Sequence, residues 1–171
     1  MIKFVKKVIC LVSALLFVLG TAACNKEDTA NAQDVKDGVL FYVEYNNAKI
    51  TMGAKFDTVF EYLGDPQDRR EIGDCGGLGA QIKYTYPSLE IYVLESKTNG
   101  NIIDQITFRD DLVSTPEGVY IGMSLDEAME KLGEYSLKNE KSIEYESDGF
   151  VLKLGIADSI ITEIDYITVA E

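Results

Sequence analysis

Met52-Gly53-Ala54-Lys55-Phe56-Asp57-Thr58-Val59-Phe60-Glu61-Tyr62-Leu63-Gly64 and Ile121-Gly122-Met123-Ser124-Leu125-Asp126-Glu127-Ala128-Met129-Glu130-Lys131-Leu132-Gly133 read alike. Gly, Asp, Glu, Leu and Gly coincide at a constant offset of 69, and the apolar positions between them match in kind. An internal repeat predicts one supersecondary unit built twice. In the first copy Phe56, Val59, Phe60 and Leu63 recur at i, i+3, i+4 and i+7, an apolar stripe on a short helix. Gly64 and then Pro66 stop it. In the second copy Ser124 and Glu127 form a capping box, Leu125, Ala128, Met129 and Leu132 make the stripe, and Gly133 ends it. Lys55 stands where Ser124 does, so the first helix has the weaker start.

Outward from each helix the apolar period changes from helical to alternating. After the first, Ile82 to Tyr86 and Leu89 to Glu95 read as strands, with Leu89, Ile91 and Val93 on one face. Asn99-Gly100 signals a hairpin, and Ile102 to Phe108 follows, with Ile102, Ile106 and Phe108 expected together. After the second helix come Ser142 to Glu146, an Asp148-Gly149 turn, and Phe150, Leu152 and Leu154 on one face. A turn at Ala157-Asp158 leads to a last strand where Ile160, Ile164 and Tyr166 share a face. Ile102, Ile106 and Phe108 match Ile160, Ile164 and Tyr166 at one offset of 58. Ahead of the first helix, Val39 to Tyr45 is β-prone and Asn46-Asn47 is a turn. The join at 110–118 is short, so the two units should pack closely.

The N-terminus reads as a processing signal. Lys3, Lys6 and Lys7 are basic, Val8 to Leu19 is apolar but shorter than the ~20 residues of a membrane span, and Gly20-Thr21-Ala22-Ala23 is a small-residue cleavage site before Cys24. This order resembles the lipobox of bacterial lipoproteins, although Thr21 stands where that family usually has Leu. The resemblance implies lipidation, palmitate included, at Cys24 and an extracytoplasmic protein held on the cell membrane. One acyl chain binds marginally at ~0.8 kcal/mol per buried methylene, whereas two or three hold stably. Residues 25–38 contain a single large aliphatic residue, Val35, and read as a tether reaching roughly 20 Å.

The chain has 16 basic and 29 acidic residues, a formal charge of −13. Removing residues 1–23 takes away three lysines and no acid, leaving 13 against 29, about −16. Such a surface repels nucleic acid and anionic lipid, so nucleic acid is not an expected partner. With Cys10 in the signal and Cys24 lipidated, Cys75 is alone and cannot form an intramolecular disulfide. Beside Asp74 it suits an inert loop or core position better than thiolate chemistry, with intermolecular pairing and redox sensitivity as the alternatives.

The two helix openings share the pattern Gly-x-x-[Phe/Leu]-Asp-x-x-x-x-x-Leu-Gly, each followed by a meander. This resembles the tandem modules of the β-lactamase-inhibitor-protein-like fold and the small outer-membrane-assembly lipoproteins. It is also similar to lipoproteins of Gram-positive anaerobes that carry two such modules behind a lipidated cysteine. The resemblance covers roughly residues 48–169. It implies an α+β fold of two tandem repeats, each a short helix packed on an antiparallel β-meander of about three strands, preceded by a signal peptide and flexible tether. The organisation expected is a signal peptide over 1–23, lipidated Cys24 and tether over 24–38, a first module over 39–110 and a second over 111–171. No inhibitory residue of that family maps onto this chain.

Histidine is absent, which removes Ser-His-Asp and Cys-His catalysis and the usual catalytic zinc ligands. The Ser-x-x-Lys, Gly-x-Ser-x-Gly and phosphate-loop patterns are missing from the mature chain, and Gly73 to Gly79 lacks the lysine and helix that a phosphate loop needs. No calcium-loop spacing occurs, which leaves calcium a minor alternative; neither metal nor cofactor is expected. The chain has ten tyrosines and no tryptophan. Tyr84, Tyr86, Tyr92, Tyr145 and Tyr166 fall on or beside predicted strands. Sheets favour tyrosine on propensity alone, but a sheet face of tyrosines also makes a good contact surface. The leading expectation is therefore a non-enzymatic, membrane-anchored envelope lipoprotein that binds an envelope or extracellular protein through a sheet face. The alternative is an extracytoplasmic binding protein for a small ligand, peptide or cation. A carboxylate hydrolase, needing paired carboxylates ~5–9.5 Å apart, comes third.

Overall fold

Strands, not helices, dominate the molecule. The computed structural model describes residues 39–74, 79–96 and 100–169. In chain order these form β1 (Tyr42–Tyr45), β2 (Ala48–Thr51), α1 (Asp57–Leu63), β3 (Asp68–Asp74), β4 (Ala80–Thr85), β5 (Leu89–Ser96) and β6 (Gly100–Phe108). There follow α2 (Leu125–Leu132), β7 (Leu137–Lys138), β8 (Ser142–Ser147), β9 (Phe150–Ala157) and β10 (Ile160–Thr168). The expected signal, Cys24, the tether, Cys75 and Asn99 lie outside the described residues.

The α+β arrangement of two helix-on-meander repeats is overturned. Strand makes up 52% of the described structure, and eight strands form one antiparallel sheet in the order β3-β4-β5-β6-β10-β9-β8-β7. The expected meanders are not separate, because β6 and β10 pair directly through Gln105↔Ile167, Ile106↔Tyr166 and Thr107↔Asp165. Two isolated meanders would each leave a row of unpaired backbone N–H and C=O groups at that edge, and joining them satisfies both rows. Each flank is also longer by one strand. β3 and β7 arise from Asp68-Arg69-Arg70-Glu71 and Leu137-Lys138, segments whose charge and brevity hide them from a search for apolar alternation.

The helices are only seven and eight residues long, and together with the β1–β2 hairpin they lie on one face of the sheet. Ser124 caps α2 by accepting from the Glu127 N–H at 3.3 Å, whereas α1 has no side-chain cap. Both helix entries are clamped to a central strand in the same way. The Gly53 N–H donates to the Ile103 carbonyl and the Ile103 N–H to the Ala54 carbonyl, both at 2.9 Å. The Gly122 N–H donates to the Ile161 carbonyl at 2.8 Å and the Ile161 N–H to the Met123 carbonyl at 2.9 Å. Tight turns set the strand pairs: Asn46-Asn47, Asp148-Gly149 and Asp158-Ser159 all have positive φ at both residues, the geometry that matches the twist of a two-residue hairpin.

Leu89, Ile91 and Val93 share the core face as expected, as do Leu152 and Leu154. In β6 and β10 the expected faces are wrong by one residue at the start of the strand. Ile103 and Ile161 are fully buried, while Ile102 is half-buried and Ile160 is exposed. The cause is a β-bulge in each strand. Register slips between Tyr92↔Gln105 and Val93↔Ile103, leaving Asp104 unpaired, and between Ile161↔Ile156 and Glu163↔Gly155, leaving Thr162 unpaired. One extra residue flips the alternation, so Ile103 and Ile106, like Ile161 and Ile164, point the same way three residues apart. Ile103→Ala or Ile161→Ala should therefore cost about 2–5 kcal/mol in urea denaturation. Ile160→Ala, one residue away, should cost about 1 kcal/mol or less.

Candidate functional site

Four of the five tyrosines expected to make a contact surface are in the core. Tyr84, Tyr86, Tyr145 and Tyr166 are at most 8% exposed. Tyr84 shares its face of β4 with Ile82, Tyr145 shares β8 with Ile143, and Tyr166 shares β10 with Ile164, so the parity of the strand drives all three inward. Their rings pack under the second layer: Phe56 on Tyr84 at 4.4 Å, Tyr45 on Tyr86 at 6.3 Å and Phe41 on Tyr166 at 5.7 Å between centroids. Burial pushes the Tyr86 hydroxyl up to about 12 and raises Tyr145 and Tyr166 as well. Those side chains serve the layer packing. Tyr92 alone of the five lies on the opposite face.

That opposite face carries no second layer among the described residues, since the helix and hairpin contacts above all fall on core-face side chains. Its polar side chains line up in rows because paired strands put opposed residues side by side. One row steps from Glu90 on β5 to Thr107 on β6, Asp165 on β10, Lys153 on β9 and Glu144 on β8. The next row steps from Lys83 on β4 to Tyr92, Gln105, Ile167, Val151 and Glu146.

The rows are tied to one another. Glu90 accepts from Lys83 Nζ and from the Tyr92 hydroxyl, each at 3.0 Å, and the Lys83–Glu90 pair is only about one-fifth exposed at 22% and 19%. Burial first, and then the bond and charge of Glu90, push the Tyr92 hydroxyl up to about 12, so it remains a neutral donor at ordinary pH. Gln105 Nε2 donates to Thr107 Oγ1 at 3.1 Å, and the Thr107 hydroxyl in turn donates to Asp165 Oδ1. Gln81 Nε2 donates to the bulged Asp104 at 2.9 Å. Asp165 is 5% exposed and is the only carboxylate among the described residues that falls in the buried class. Burial raises its carboxyl above the usual range, and the nearby charge of Glu163 raises it further, against the opposing effects of Thr107, Gln105 and Lys153.

Glu163 has a seat of its own. It sits opposite Gly155 of β9, where an added Cβ would come within 2.8 Å of the Glu163 Cβ and 3.0 Å of its Oε2. No side chain fits there without displacing Glu163, so the glycine keeps a place for that carboxylate against the sheet.

A cleft of about 380 Å³ lies between β1 and the loop at 112–116, lined by Tyr42, Glu44, Leu112, Val113 and Thr115. Next to it the Leu40 N–H donates to Glu117 Oε1 at 2.8 Å, while Glu117 Oε2 is buried without a partner among the described residues. No three carboxylate, cysteine or histidine groups among the described residues are placed to hold a metal ion. No helix among them is long and apolar enough to cross a membrane.

The open-face set was only partly visible beforehand. Asp165 between Ile164 and Tyr166 is the one mark of it in the sequence, an acid set between two apolar core residues. The bond from Thr107 depends on β6 meeting β10, which residue patterns do not reveal. No family model, curated protein or solved structure matches the chain.

A buried acid with a raised carboxyl weakens the fold when ionised. Its favourable, protonated form is fully present below the ordinary aspartate value and is lost as pH rises through the raised folded value. Asp165→Asn should therefore raise the melting temperature at pH 7, and the gain should shrink toward zero at about pH 4, measured by paired thermal melts.

Proposed function

We propose that the protein is a lipid-anchored, extracytoplasmic binding protein of the cell envelope, held on the membrane through Cys24, whose open sheet face docks another protein. The observation that carries the reading is the face of an eight-stranded sheet that no second layer covers among the described residues, with ordered polar rows and the Tyr92 phenol on it. A rigid antiparallel sheet presents side chains at fixed spacing, and prebuilt hydrogen bonds such as Lys83–Glu90–Tyr92 lower the ordering cost of docking. The absence of histidine and of nucleophile motifs argues for binding over catalysis. Among the described residues one carboxylate, that of Asp165, is buried, and no second buried acid accompanies it as the pair of a glycoside hydrolase would.

Two experiments test the parts separately. Labelling with an alkyne-bearing palmitate should mark the full chain in a bacterial host, and Cys24→Ser should abolish the label and release the protein from membranes. Retention of the label would remove the anchor. A photo-crosslinking residue placed at Tyr92 or Ile167 should give a discrete protein adduct in the envelope, while the same residue at Glu127 on α2 should give none. Equal adducts from both positions, or adducts from neither, would count against docking on the sheet.

The cleft beside β1 favours a second reading, a small polar ligand held near Tyr42 and Glu44. A ligand-dependent rise in melting temperature that Tyr42→Ala removes would support it.

A further inference from the structure

We infer that the cleft between β1 and the loop at 112–116 binds a small molecule through a primary ammonium group, received by Glu117 Oε2 with the Tyr166 and Thr115 hydroxyls beside it. This rests on the reading of the cleft as a ligand site and adds the chemistry of the ligand. It is independent of the sheet face.

Two polar atoms beside the cleft have bonding capacity that the fold does not use. Glu117 follows directly on the lining loop and reaches across to the entry of β1, where its Oε1 accepts from the Leu40 N–H at 2.8 Å. Its other oxygen, Oε2, is buried without a partner among the described residues. The Tyr166 hydroxyl is in the same condition, on a residue that is 0% exposed. Its neighbours set it behind the wall of the cleft: burial first, then the charges of Glu117 and Tyr42, push the hydroxyl up, while Thr115 opposes them. Tyr42 and Thr115 are both lining residues. Thr115 is itself buried, and its Oγ1 accepts from the Val119 N–H at 3.2 Å, which leaves the hydroxyl a second lone pair and its own hydrogen. Buried polar atoms are nearly always bonded, so two orphans within reach of each other's charge, at the edge of a cavity, mark a place that a ligand completes. Glu117 as a residue is only half-buried, so its carboxylate can turn toward the cleft about the retained Leu40 bond.

The orphan atoms also select the ligand. A carboxylate oxygen only accepts, and the phenol and threonine oxygens accept as well, so a positively charged group with three hydrogens satisfies all of them. A guanidinium gains its advantage from a two-oxygen grip, and Oε1 is already spent on Leu40. A carboxylate or phosphate ligand would meet repulsion from Glu117 and from Glu44 on the lining. No three acidic, cysteine or histidine groups among the described residues converge as a metal ion requires. Lys49 Nζ already lies 3.8 Å from the centroid of the Tyr42 ring, so that ring is taken and Glu117 carries the recognition. Leu112, Val113 and Pro116 supply an apolar wall for the carbon skeleton, and the volume suits a small molecule better than a protein segment.

The probe is n-butylammonium, with n-butanol and butyrate as neutral and anionic controls of the same length. Each is titrated into the full chain in neutral detergent and followed by amide shifts. Butylammonium should move Tyr42, Val113, Thr115 and Glu117 to saturation, and both controls should bind at least about tenfold more weakly. Glu117→Gln keeps an acceptor for Leu40 and should weaken butylammonium about tenfold. Tyr166→Phe removes only an unpartnered hydroxyl, so it should weaken binding about threefold while the melting temperature holds or rises. Glu130→Gln on α2 should change binding less than about twofold. Parent-like binding by Glu117→Gln, or shifts from none of the three probes because the orphan atoms meet only water, would overturn the inference. Butanol or butyrate binding as tightly as butylammonium, with Tyr42→Ala abolishing it, would sink the ammonium and leave the cleft a ligand site. The cleft reading itself fails on a different result, a ligand-dependent rise in melting temperature that Tyr42→Ala leaves intact.

Discussion

The pairing of β6 with β10 is the contact on which the rest of the structure depends. Three residue pairs turn two groups of strands into one sheet and remove two inner edges at once. They also carry the core across the junction, since Ile106 and Tyr166 on one side of the pair are buried with Phe108, whose ring meets Tyr166 at 5.9 Å. On the other side the same pairing brings Thr107 against Asp165 and so lets a carboxylate sit buried with a donor. One backbone junction thus supports the hydrophobic layer beneath and the polar surface above.

The charge left on that surface is unevenly distributed, and the reason is again local. Where a base stands beside an acid on a neighbouring strand, as Lys83 does beside Glu90, the pair neutralises itself and is partly withdrawn from water. Across the junction Glu163 and Asp165 of β10 stand opposite Gly155 and Lys153 of β9, two acids beside one base. An acidic surface of this kind repels other anions at longer range than contacts can form.

Much of the strand content was legible in the residues, because period-two alternation at Leu89, Ile91 and Val93 is unambiguous and turn chemistry at Asn46-Asn47 and Asp148-Gly149 marks the reversals. What escaped notice has identifiable causes. Bulges at Asp104 and Thr162 leave no clear mark in composition, yet each exchanges the inward and outward sets of its strand, which is why Ile103 and Ile161 displaced their neighbours. Propensity puts tyrosines on strands without distinguishing the two faces of a strand; only the partners of the strand do. β3 and β7 were invisible because they are held by backbone bonds to β4 and β8, and not by apolar side chains. Joining the two groups of strands is a long-range event that no short motif encodes.

The outer margins of the sheet carry their own consequence. One is Asp68-Arg69-Arg70-Glu71, studded with charge and broken by a register shift before Gly73; the other is a ribbon of only two residues. Neither invites a foreign strand to continue the ladder, so these two margins disfavour edge-to-edge stacking of copies into fibrils. Any contact made at these margins must then be carried by side chains and not by generic main-chain bonding.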